Sequence, residues 1–160
     1  MLDFVSFYEG HKGAVLSLAG DPRDNHFYSS GTEGLIVRWK LDKPNEGDVI
    51  TRLPGLVPSI VYSEKRNSIY AALNQKGIVA LDCNTGKKIN SIAIPATSFN
   101  RMLLLEDFLI VHTKQSELLV LDTALQKIAL RIEIGASEQP LIAEGTKANT
   151  FWFKDDNGVH

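Results

Sequence analysis

Four histidines and one cysteine are the side chains best suited to metal binding or nucleophilic chemistry. The histidines are His11, His26, His112 and His160. None stands in an HExxH spacing, and Cys83 has no second cysteine to form a CxxC pair, so no zinc site is expected. Cys83 follows Asp82 where a strand gives way to a turn, and no neighbour in sequence marks it for thiolate activation. Asp155-Asp156-Asn157-Gly158 resembles a piece of a calcium loop. Its remaining ligands and closing glutamate are absent, and Asn-Gly is a common hairpin turn, so it is read as a turn. Ser29-Ser30-Gly31 has no partner base in a hydrolase spacing, and no P-loop, GxSxG or GxGxxG string occurs. No catalytic residue, metal or cofactor is therefore expected.

The bulk properties agree with a binding role. The 160 residues suffice for one core. A net charge of −2 and scattered basic residues give no reason to expect nucleic acid or membrane partners. The lone cysteine and the absence of a signal-peptide pattern at Met1-Leu2-Asp3-Phe4 point to a reducing, cytoplasmic setting.

The elements that must position these side chains are strands. Three segments recur: Ile36–Asp42, Gly77–Asp82 and Leu118–Asp122. Each is an apolar run ending in a large apolar residue and then a polar one. Trp39, Leu81 and Leu121 repeat at intervals near the 40–45 residues of a four-stranded propeller blade. Within each period, strand-length apolar runs alternate with polar turns. In the first unit the runs are Ala14–Ala19, Phe27–Ser30, Leu35–Leu41 and Val49–Leu53, with Lys43–Asp48 expected as a loop. This predicts an all-β array.

The first unit carries a signature. Gly10-His11 precedes Val15, Leu18 and Asp21-Pro22; Ser29-Ser30-Gly31-Thr32-Glu33-Gly34 follows, and Trp39 ends the third strand. These residues resemble the WD-repeat β-propeller family. Lys40 stands where the family has Asp, and Glu33 where its tight turn usually has Asp. The resemblance implies a structural tetrad at His11, Ser29, Glu33 and Trp39. In it a carboxylate orients an imidazole, which bonds a hydroxyl, which bonds an indole N–H. The extra methylene of Glu33 is expected to make this chain imperfect. The later units are degenerate, with Leu53-Pro54 in place of Gly-His and Leu81 and Leu121 in place of Trp.

The resemblance implies a WD-type propeller of about three and a half blades, with an incomplete ring. Residues 1–9 would be the outer strand of a closing blade, 10–54 blade 1, 55–95 blade 2, 96–135 blade 3 and 136–160 the start of blade 4. Either a longer propeller continues from this piece, or two copies associate through open blade edges. The implied function is a non-catalytic scaffold for a protein or peptide partner. Its contact face would include Lys12, Thr32, Gln75, Lys76, Lys114 and Gln115, polar residues that suit an ordinary solvated face equally well. A second resemblance is to quinoprotein propellers, through Ala80-Leu81-Asp82 and Thr85-Gly86-Lys87. The Trp and adjacent cysteines of those enzymes are missing, so the stretch is read as a turn.

Overall fold

The computed structural model describes residues 7–22, 25–95, 97–134, 141–148, 150–155 and 158–160. All regular structure among them is strand. In chain order the strands are β1 (Val15–Asp21), β2 (His26–Gly31), β3 (Leu35–Lys40), β4 (Lys43–Arg52), β5 (Ser59–Ser63), β6 (Ser68–Leu73), β7 (Gly77–Asp82), β8 (Lys88–Ala93), β9 (Phe99–Leu104), β10 (Phe108–Thr113), β11 (Glu117–Asp122), β12 (Ile128–Glu133), β13 (Leu141–Glu144), β14 (Phe151–Asp155) and β15 (Gly158–Val159). They form three four-stranded antiparallel meanders, followed by a sheet of β13, β14 and β15. This is the all-β, unclosed propeller array that the period predicts.

The main departure from the sequence reading is β4. Lys43–Asp48, expected as a loop, is the first part of a ten-residue strand. Register shifts against β3 fall between Ile36 and Val37 and between Trp39 and Lys40. Bulges of this kind absorb extra residues and hide a strand from an alternation pattern. The outer strand expected at residues 1–9 falls mostly on residues 1–6, outside the described residues; Phe7, Tyr8 and Glu9 are not in a strand. Asp156 and Asn157 of the calcium-like string also lie outside them.

The sheets stack face to face. The first strands β1, β5, β9 and β13 touch in succession and form the inner row of the array. Blade 1 presents Tyr28 and Ile36 to Ile60, Ile69, Ala71 and Leu81 of blade 2. Blade 2 presents Tyr70, Ala72, Ile78 and Ala80 to Phe99, Leu109, Val111 and Leu121 of blade 3. Blade 3 presents Ile110 and Leu118 to Ile142, with Phe151 and Phe153 alongside. Central strands are thus buried on both faces, which is why β6 and β7 read as nearly continuous apolar runs.

Tight turns hold each meander. Gly77, with φ of 130°, opens β7 where an added Cβ would run into the Ile92 carbonyl oxygen. That position tolerates only glycine, for both backbone and space. Polar cross-links stitch the blades together: the Ile60 backbone N–H donates to Ser17 Oγ (3.1 Å), and the Met102 N–H donates to Ser59 Oγ (2.9 Å).

Candidate functional site

The first unit brings four distant side chains into one hydrogen-bonded chain. His11, ahead of β1, places Nδ1 2.7 Å from Glu33 Oε1 and Nε2 2.6 Å from Ser29 Oγ. Trp39 Nε1 on β3 donates to the same Ser29 Oγ at 2.7 Å. Ser29 and Trp39 are each 2% exposed, so these bonds are sheltered from water. The Glu33 carboxyl is held below its ordinary value, first by its own backbone N–H and then by His11, against the opposing effect of burial. The longer side chain does not break the series. One oxygen reaches the imidazole and the other, Oε2, is buried without a hydrogen-bond partner. The imperfection expected of Glu33 is confined to that second oxygen.

In later blades the same positions are apolar. Ser29 is matched by Ala71 and Val111, and Trp39 by Leu81 and Leu121, all buried. Exchanging both partners of a buried bond for apolar groups is close to neutral, whereas exchanging one is costly. The degenerate repeats changed both.

The six polar residues of the expected contact face gather at one end of the blades. Lys12 precedes β1; Thr32, Gln75, Lys76, Lys114 and Gln115 occupy the turns between second and third strands. All six are exposed. The turns beneath them are fixed by backbone bonds: Thr32 N–H to Ala14 O (3.0 Å), Gln75 N–H to Thr97 O (2.7 Å) and Lys114 N–H to Ser98 O (2.8 Å). Lys76 Nζ donates to Pro54 O at 2.9 Å, and Gln115 Oε1 accepts from the Ser98 N–H at 3.3 Å.

A concavity lies at the opposite end, between blades 1 and 2. It is a cleft of about 280 Å³ lined by Asp21, His26, Tyr28, Arg38, Asn67, Cys83 and Asn84. Burial, then the neighbouring Cys83 and Asp21, push the Tyr28 hydroxyl pKa up. Cys83 Sγ lies 3.1 Å from Asn67 Oδ1. The sequence reading did not single out this cleft. Its lining comes from strand ends and turns of two blades, so no local spacing marks it. His112 is buried in β10, 3.4 Å from Asn100 Nδ2, and burial lowers its pKa. No group of three or more potential metal ligands occurs among the described residues.

No family model matches the chain, and no curated protein does. Solved structures do. The crystal structure of the computationally designed Ika4 protein superposes with a TM-score of 0.74 at 15% identity, covering 100% of this chain and 97% of that one. The β-propeller domain of Myceliophteria thermophila Cps50 (Swd1) gives 0.71 at 15% identity over 91% of this chain, and the RRP9 WD40 repeats give 0.65 at 14% over 79%. The chain spans 50% and 41% of those two, respectively. The stacked meanders, the His11–Trp39 hydrogen-bond chain and these superpositions agree: the chain has a β-propeller fold similar to that of WD-repeat proteins, with its ring unclosed among the described residues.

Proposed function

We propose that the chain is a non-catalytic platform for a protein or peptide partner, acting in the cytoplasm. The observation that carries this reading is the fixed polar end built by the turns of blades 1–3. There Lys12, Thr32, Gln75, Lys76, Lys114 and Gln115 stand exposed on backbone tied down at three points. A preformed surface loses little conformational entropy on binding, which favours recognition of short segments. Three of the six side chains are lysines, so the face suits an acidic peptide.

The test is selection of peptides from a random display library on the immobilised chain, followed by titration of the selected peptide. Binding that is lost in a Lys12→Glu/Lys76→Glu/Lys114→Glu variant of unchanged circular dichroism is the expected result. Binding unaffected by all three substitutions would move the contact site elsewhere and defeat the proposal for this face.

A further inference from the structure

The same face-to-face joint between neighbouring blades occurs three times along the chain. Strand pairing aligns the blades without ambiguity. Leu18 pairs with Ser29, Ile60 with Ala71, Met102 with Val111 and Ile142 with Phe153. These four residues occupy one position on the face turned toward the preceding blade. Ile60, Met102 and Ile142 are 2–3% exposed, and Leu18 is 64% exposed.

The opposite face behaves alike. Tyr28 pairs with Ala19, Tyr70 with Val61, Ile110 with Leu103 and Trp152 with Ala143. The first three are 1% exposed, whereas Trp152 is 48% exposed. Val159, which pairs with Lys154 two residues along β14 from Trp152, and Leu16, two residues before Leu18 on β1, are exposed as well.

The faces are also complementary in size. In the first joint, Tyr28 stacks on Tyr62 with ring centroids 5.5 Å apart. Tyr62 pairs with Ile69 as Gly20 pairs with Phe27, so Gly20 holds the position of Tyr62 on blade 1. Space for a side chain is open at Gly20. Trp152, a large side chain, thus stands on one half-joint where the other half has a glycine.

We propose that two copies of this chain close into one ring, the last blade of each packing on blade 1 of the other, with Trp152 seated over Gly20 and against Leu18. Four sheets from each copy make eight blades, within the usual range for a closed propeller. The arrangement has two identical joints related by a two-fold axis, and it covers Leu18 and Trp152 at once. The same contact repeated without closing would give open filaments.

Sedimentation equilibrium of the full 160-residue chain reads the outcome, together with Leu18→Glu and Trp152→Glu variants. Neither residue belongs to the buried clusters of the single chain, so both variants are expected to fold, which circular dichroism checks. The wild-type chain sediments at twice its 17.7 kDa mass. Each variant alone weakens the dimer on the order of a hundredfold or more, because a carboxylate is buried at both joints. An equimolar mixture of the two variants recovers dimer, since the mixed pair keeps one joint with native Leu18 and Trp152. A monomeric wild-type chain, filaments, a dimer indifferent to both substitutions, or a mixture that stays monomeric would each overturn the proposal.

Discussion

Replacing Ser29 with alanine tests whether the hydrogen-bond chain stabilises the fold. Ser29 Oγ is the shared partner of Trp39 Nε1 at 2.7 Å and His11 Nε2 at 2.6 Å. Alanine fits the space but leaves two donors or acceptors in a dry interior. Each orphaned polar group costs about 1–3 kcal/mol, so Ser29→Ala should lose about 2–6 kcal/mol in total. Trp39→Phe removes the indole N–H together with some packing. In the double variant that N–H no longer waits for a partner. The combined loss should therefore fall short of the sum by about 1 kcal/mol. Urea unfolding followed by far-ultraviolet circular dichroism, at one fixed protein concentration, gives each value from the midpoint at constant slope. A Ser29→Ala chain within about 0.5 kcal/mol of wild type, or strictly additive losses, would refute the reasoning.

Tyr70 donates its hydroxyl to the Thr123 carbonyl at 2.7 Å across the joint between blades 2 and 3. Tyr70→Phe should cost about 1–2 kcal/mol in the same urea assay by stranding that carbonyl. Gly77→Ala should cost more than about 1 kcal/mol, because φ is 130° there and the Ile92 carbonyl blocks a Cβ. Stability should also fall on the acid side. Burial depresses the His112 pKa in the folded chain, so as pH drops through the ordinary histidine value of 6.5 the unfolded chain takes up the proton first and unfolding is favoured. His112→Gln should flatten that limb in denaturation curves measured against pH. Glu33, whose folded pKa is lowered, contributes stability above its ordinary value of 4.5 that is lost as pH falls further through its folded value.

Sequence by itself determined the repeat. Strand-length apolar runs and their spacing follow from the two-residue period of a strand and from turn chemistry, both local properties, so they could be read without a third dimension. The positions of His11, Ser29, Glu33 and Trp39 were legible for a different reason: one unit keeps enough of the family pattern to mark them. The long β4 was not legible, because its bulges against β3 break the alternation. Neither was the cleft holding Asp21, His26, Arg38 and Cys83, which joins residues far apart in the chain.

Only the tertiary structure decided which face of each sheet is satisfied. Leu18 and Ile60 are both apolar strand residues in sequence, as are Tyr70 and Trp152. What separates them is whether a neighbouring blade lies against them, and burial is a property of the neighbour as much as of the residue. That difference is visible only once the blades are stacked.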